Sequence, residues 1–553
     1  MADNNDIMPN GVSKDGKTFV KYLGDRNAKE FTVPEGVTHI GDEAFKGCKN
    51  LTSIRLPFSL TSIGDDAFRH CLKLKSVTLP FRLTSIGNGA FQECQSFEAI
   101  IVPEGVEIIR PRTFLNCLKL KSITLPSSLK EIRGGAFRGC KALKTIKIPE
   151  NLEKIGNNAF DGCRALETFV VDKNNLKFTS INGVLFTKNR KTIFRYPEGK
   201  KKKKNEYSIP KDVVNIGSGA FSGCSSLKLI RLPDGVTVIG DSAFKGCSSL
   251  KSINIPNGLT EIIDHAFSGC SSLTSVEIPD SVGYIGFNVF SHCTSLKTIC
   301  LSNKLTCIGE ALFLGCSSLA YVILPTSVKE IKSQAFSECK SLNLIVLSSN
   351  LCDIADDAFD DCPVLEEICV MPGNAKYCSI DGVLLNSDRT VLIRVPEGRK
   401  EKEYHVPHTV REIGEYAFQN CMYLETVVLP SEIENVWKHS FSDASSLKSI
   451  TVLEDGSFFF SLDGVLFTWR QDGKIFLVKW PEGKEERTYI IPHFVAGVLP
   501  SAFKKSKYLR SVVIPKNVTE IESKTLQGLT VYAPAGSKVE ELVDSLKNLF
   551  HRI

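Results

Sequence analysis

Apolar and polar positions along most of this chain return in one fixed order. Val236–Pro256 reads VTVIGDSAFKGCSSLKSINIP and Leu259–Pro279 reads LTEIIDHAFSGCSSLTSVEIP, with the aliphatic residues, Ala-Phe, Cys and final Ile-Pro at the same offsets. The phenylalanine slot advances in steps of 23 residues from Phe45 to Phe160 and from Phe221 to Phe359. It returns at Phe418, Phe441 and Phe503, and Leu526 occupies the slot after that. A fixed period of this length marks a tandem array, here about 17 copies of one unit. A length of 553 residues would otherwise predict several globular domains. The repeat predicts a fold that grows in one dimension, each unit touching only its neighbours.

One copy shows what a unit does. Ile253 and Ile255 alternate with Asn254, the period of a strand with one buried face. Pro256 cannot donate to a ladder and ends that strand at a corner. Asn257-Gly258 turns the chain into a second extended piece, Leu259–Ile262, with Leu259 and Ile262 inward. In most copies this piece ends in Ile-Gly, where glycine permits a positive φ at a second corner. Asp-x-Ala-Phe then predicts a capped, short helical turn that drops Phe and Cys into the interior. Coils stacked about 4.8 Å apart build a parallel sheet along one side.

The whole signature, I-G-x-x-A-F-x-x-C-x-x-L-x-x-I-x-I-P, resembles that of the BspA-like, or Treponema-type, leucine-rich repeat family over roughly residues 31–530. The Asn-terminated pattern of the ribonuclease-inhibitor-like subclass is absent. The resemblance implies a leucine-rich-repeat solenoid with a parallel β-sheet on one side, short strands and helical turns. It also implies a non-enzymatic, protein-binding surface or secreted protein of bacteria or mucosal protozoa. Such a protein adheres to host extracellular-matrix or cell-surface proteins, here as a monomer. An intracellular scaffold or regulator using the same sheet face is the alternative.

Three related insertions interrupt the phase, near 172–208, 371–406 and 453–491. Each reads as a strand, a polar turn and a strand ending in Pro-Glu-Gly, which predicts a β-hairpin on a single solenoid. Residues 1–30 form a tail and cap strand. Residues 531–553 predict a capping helix: Ser537 and Glu540 make a capping box, and Val539, Leu542, Val543, Leu546, Leu549 and Phe550 fall on one face. The run Lys200–Lys204 has mixed-charge counterparts in the other two insertions, which fits a solvated hairpin exit better than a nucleic-acid contact.

Composition adds exclusions. With 42% hydrophobic and 24% charged residues the chain is foldable, and a net charge of +6 is too even to argue for nucleic acid or membrane. The N-terminus has no apolar core of a secretory signal, and no run of 18 apolar residues occurs, so a cytoplasmic location stands beside the surface location that the resemblance implies. Fourteen of the 19 cysteines occupy one repeat slot, where Ala444 and Ser506 also stand. A slot that accepts Cys, Ala or Ser is a small buried packing site, with a disulfide or metal ladder as the alternative. The other five, Cys300, Cys307, Cys352, Cys369 and Cys378, follow no zinc spacing. No nucleophile, phosphate-loop or metallohydrolase motif occurs, and neither metal nor cofactor is expected. Asn50 and Asn517 head glycosylation sequons that matter only after export.

Two surfaces remain as candidates for partner binding. The outward sheet position between the buried isoleucines turns from mostly polar to apolar at Cys300, Ile323, Val346, Cys369 and Val428, where β-propensity alone is the competing explanation. The third insertion concentrates aromatics, with Phe458, Phe460, Trp469 and Trp480 as contact candidates and packing on the solenoid as the alternative.

Overall fold

The computed structural model describes residues 7–553 apart from 9, 201–204, 455, 457 and 546–549, and for 543–545 it describes the backbone alone. Most of the lysine run therefore lies outside the described residues. The chain forms two compact units, Met1–Thr294 and Ser295–Ile553.

The first unit is wound as the alternation requires. The Ile-x-Ile strands stack in parallel with a 23-residue register, for example Ser53↔Ser76 and Ile54↔Val77, and five of them run from Glu30–Thr32 to Ser122–Thr124. The second pieces form another parallel ladder, Ser62↔Ser85 and Ile63↔Ile86. Between the ladders the repeat phenylalanines pile ring on ring. Phe45, Phe68 and Phe91 are 5.2 Å apart and nearly coplanar in direction, and all three are buried. At the N-terminal end Phe19 continues the pile 4.7 Å from Phe45. The strand Thr18–Phe19 pairs in parallel with His39–Ile40, as one coil pairs with the next.

The Ala-Phe segment differs from the expected helical turn. Among the described residues there is no α-helix. The residue two after the repeat phenylalanine, from Gly47 (φ 73) to Lys505 (φ 61), lies in the left-handed region. This sign change breaks any helix and aims alternate N–H groups at the next coil. Asp66, Phe68 and His70 donate to the carbonyls of Asn88, Ala90 and Gln92 at 2.8, 2.8 and 3.0 Å. Arg69 and Cys71 close local turns onto Asp66 and Phe68. A helix would consume those donors within its own coil, whereas the alternating turn makes a third coil-to-coil seam.

The Ile-Gly glycines also act differently from expectation. Gly64 and Gly87 have ordinary φ, and what they lack is room: a Cβ on Gly87 would sit 2.3 Å from the Gly64 carbonyl carbon. Gly283, by contrast, has open space around it and no positive φ. Gly87→Ala is therefore expected to cost about 1–3 kcal/mol by overpacking, and Gly283→Ala to be neutral or stabilising by about 0.4–1 kcal/mol, both read by urea unfolding. Equal effects at the two sites would show that coil-to-coil crowding does not act there.

The second unit repeats these seams and adds the clearest view of the insertions. Each insertion is a three-stranded meander. Its first two strands, such as Phe459–Leu462 and Val465–Trp469, join through a turn with positive φ at Asp463 and Gly464, the geometry of a tight hairpin. Its last strand, Ile475–Lys479, runs parallel to Val495–Val498, in the place of the second piece of a coil. The meander does not ride on the outside. Leu466 and Val478 pack into the core before it, and Val465, Phe467, Ile475 and Leu477 into the core after it.

The C-terminal segment replaces the expected helix with a short 3-10 turn, Glu540–Ser545, and a strand, Phe550–Arg552, parallel to Thr530–Ala533. The last coil leaves an open sheet edge, and a strand supplies the backbone partners that a helix, bonded to itself, withholds. Val539 is buried beneath this closure, while Leu546 and Leu549 lie outside the described residues.

Candidate functional site

The strand face of the second unit is built from alternation. In Tyr321–Ile323, Val322 is buried while Tyr321 and Ile323 stand 48% and 57% exposed. The ladder then sets Tyr321 beside Leu344, and Ile323 beside Val346 and Cys369 in turn. Cys300, at the end of Thr298–Cys300, is exposed as well. Two rows of outward side chains thus form one apolar patch: Tyr321 and Leu344 in one row, Cys300, Ile323, Val346 and Cys369 in the other. The sequence points to the second row only. Tyr321 and Leu344 sit two residues earlier on the same strands, so the period of two was sufficient to find them. In the first unit, the corresponding positions are mixed: Arg55, Thr124 and Lys147 stand with Ile101 and Val170, which are 70% and 45% exposed.

Val428 does not belong to this patch. It is only 7% exposed, and its ladder neighbours are His405 and Thr451. The second meander separates it from Cys369: the Ile368 N–H donates to the Gly382 carbonyl at 2.9 Å, so the meander turn stands where the next coil would pair. Phe169 donates to Gly183 and Ile450 to Gly464 in the same way. Each insertion therefore breaks the outward row.

In the third meander, Phe458 and Trp469 are 47% and 44% exposed. Half-buried Phe460 lies 5.2 Å from Phe467 and 5.1 Å from Trp469. Phe494, absent from the sequence-based set, packs 6.1 Å from Phe460. Trp480 is a core residue, 1% exposed, with its ring 4.4 Å from Tyr489. It precedes Pro481-Glu482-Gly483, and the Gly483 N–H docks on the Leu447 carbonyl at 2.8 Å, which carries the indole inward.

A set of residues that extends the Pro-Glu-Gly of the hairpin exits holds the meanders in place. Each last strand ends in a basic residue, one intervening residue, then Pro-Glu-Gly: Arg195 to Gly199, Arg394 to Gly398 and Lys479 to Gly483. The meander supplies a shorter turn than Ala-Phe, and buried side chains substitute for the missing backbone groups. The Glu198 carboxylate accepts the Gly162 N–H at 2.6 Å, a donor whose counterparts reach the next coil's carbonyl. The Arg195 guanidinium donates to the Gly219 and Ser222 carbonyls. It also pairs with Asp161 at 2.7 Å and Glu198 at 2.9 Å. Arg394 pairs with Asp360 and Glu397, both at 2.9 Å, and Lys479 with Glu482 at 3.2 Å. Burial raises the Glu198, Glu397 and Glu482 carboxyls, Glu397 to about 7. The recurring basic-x-Pro-Glu-Gly was the available signal.

The repeat cysteines are packing groups with a weak hydrogen bond. Cys71, Cys94 and Cys117 donate to the carbonyls of Phe45, Phe68 and Phe91 at 3.2, 3.1 and 3.1 Å. Burial pushes the Cys140, Cys247 and Cys293 thiols up to about 12, far from the thiolate that chemistry or metal binding requires. Among the described residues no group of three His, Cys, Asp or Glu side chains is placed to hold a metal ion.

A family model described as BspA type Leucine rich repeat region (6 copies) matches residues 21–133, 107–196, 194–281, 260–379, 398–461 and 487–532. Among solved structures, the chain is similar to a leucine rich cell surface protein from Faecalibacterium prausnitzii A2-165. Identity is 28%, over 65% of this chain and 92% of that one, with a TM-score of 0.40. A leucine-rich repeat protein from Bacteroides ovatus is 32% identical, over 64% and 82% of the two chains, with a TM-score of 0.42. The pneumococcal vaccine antigen PcpA is 23% identical over 62% and 92%, with a TM-score of 0.45. No match is found among curated proteins.

Proposed function

The chain belongs to the BspA-type leucine-rich repeat family, and on that premise we propose that it is a protein-binding surface adhesin whose contact face is the apolar patch of the second unit. Family and fold are of the protein-interaction kind. One observation carries the assignment to this face: Tyr321, Ile323, Leu344, Val346, Cys300 and Cys369 turn outward on neighbouring strands, whereas the exposed apolar side chains of the first unit's row, Ile101 and Val170, pair with Thr124 and Lys147. The partner is an extracellular-matrix or cell-surface protein, and the exposed Phe458 and Trp469 of the third meander give a second aromatic anchor on the same unit.

The double substitution Ile323→Lys/Val346→Lys tests this. Both side chains point outward, so the unfolding midpoint should stay close to wild type. Binding to a panel of immobilised matrix proteins and to host cells should fall at least tenfold. Unchanged binding in the folded double variant removes the patch from the mechanism. A scaffold inside a cell could use the same face, and a chain with nineteen cysteines, fourteen of them in one buried packing slot, favours that reading. Alkylation and intact mass on unreduced native protein separate the two, since disulfides or glycan on Asn50 or Asn517 require export.

A further inference from the structure

Beside the third meander, on the edge where the Ala-Phe turns stack, the second unit carries a groove of about 540 Å³. Lys438, Lys504, Lys505 and Lys524 line it, with Glu522 as its one acidic residue and Thr525 at its base. Lys505 pairs with Asp443, while Lys438, Lys504 and Lys524 form no salt bridge among the described residues. The groove therefore keeps a net positive charge after both carboxylates are counted.

Two further observations point to an anionic occupant. Thr525 is 5% exposed and its hydroxyl has no hydrogen-bond partner among the described residues, a cost that a ligand oxygen in the groove would remove. His439 lies against this edge, and burial above all, with the charges of Lys504 and Lys438 adding to it, pushes its imidazolium down. The lysines come from coils before and after the meander, so they span at least two coil spacings, about 10 Å. That is the length of more than one sugar ring. The lining offers ammonium, hydroxyl and amide groups (Gln527), and its aromatic residue, Phe503, is buried at 4% exposed, so the lining presents no open ring to stack on a base.

We propose that this groove binds a sulfated saccharide chain, with Lys438, Lys504 and Lys524 pairing with its sulfates and the Thr525 hydroxyl donating to one sulfate oxygen. The site is separate from the apolar sheet patch and stands or falls independently of it.

Calorimetric titration of the full chain at 100 mM salt tests the assignment. The probes are a heparin-derived hexasaccharide, its desulfated counterpart and a thymidine decanucleotide. The sulfated probe should bind, with affinity falling as salt rises. Lys504→Glu/Lys524→Glu should weaken it at least tenfold, and Lys228→Glu/Lys251→Glu, which removes equal charge from exposed positions of the first unit, should change it less than twofold. Lys438→Gln/Lys504→Gln gives the same reading without charge reversal. Absence of binding, equal loss in both charge-reversal variants, or equal affinity for the decanucleotide or the desulfated probe would each overturn the proposal.

Discussion

Arg394→Ala should cost about 3–5 kcal/mol, the usual consequence of removing one member of a buried ion pair. Arg394 is 5% and Glu397 4% exposed, and the guanidinium also reaches Asp360 and the Asp356 carbonyl. Its loss strands two carboxyl groups and a carbonyl that the shortened turn cannot serve. The effect should depend on pH in a definite direction. Burial, opposed by Arg394, holds Glu397 at about 7, above its ordinary 4.5. A carboxyl raised by folding contributes stability fully below its unfolded value and loses it as pH climbs through its folded value. The wild-type seam should therefore weaken between about pH 4.5 and 7. At pH 5 Glu397 is already protonated in the fold, so the alanine variant strands less charge there than at pH 8. Urea unfolding at the two pH values should show the larger loss at pH 8. Replacing both partners, as in Arg394→Met/Glu397→Leu, should recover part of the loss. A loss from Arg394→Ala that is small and indifferent to pH would show that the backbone seams alone hold the meander.

Phe244→Ala, in the first unit, is expected to be as damaging, about 3–5 kcal/mol. The ring is fully buried and lies 5.2 Å from Phe221 and 5.1 Å from Phe267, within 14° and 8° of parallel. Removing it opens a gap between two neighbouring rings and forfeits two aromatic contacts, each worth about 0.5–1.5 kcal/mol beyond area. The coils above and below cannot close that gap, because their spacing is set by ladder bonds such as Val238↔Glu261 and Ile239↔Ile262. Phe244→Leu, which keeps much of the volume, should lose clearly less. Chemical unfolding monitored by far-UV circular dichroism measures both. Equal losses for Ala and Leu would mean that the pile contributes no packing of its own.

Much of this was legible because a repeat states each rule many times. The parallel sheet along one side, the buried phenylalanine slot and the small cysteine slot follow from spacing alone. The turn did not, because Asp-x-Ala-Phe is compatible with one helical turn locally, and only the neighbouring coil's carbonyls favour the alternating backbone. The glycine of Ile-Gly was placed correctly and explained wrongly, since coil-to-coil crowding at Gly87 is invisible in one coil. Val428 and Trp480 were misplaced for a shared reason. Both positions depend on what an insertion does to the layer beside it, and a sequence written as phase plus interruption treats that layer as untouched. The role of the basic-x-Pro-Glu-Gly set is hidden in the sequence, because charged residues at a hairpin exit look solvated, whereas here they replace backbone groups.

The third meander has a consequence for how damage spreads. In an unbroken stack, opening one coil exposes the next, and fraying can run inward from any weak point. Leu466 and Val478 belong to one core while Phe467 and Leu477, on the same strands, belong to the other. The meander thus ties two cores through one pair of strands, and coils lost on one side leave its opposite face packed.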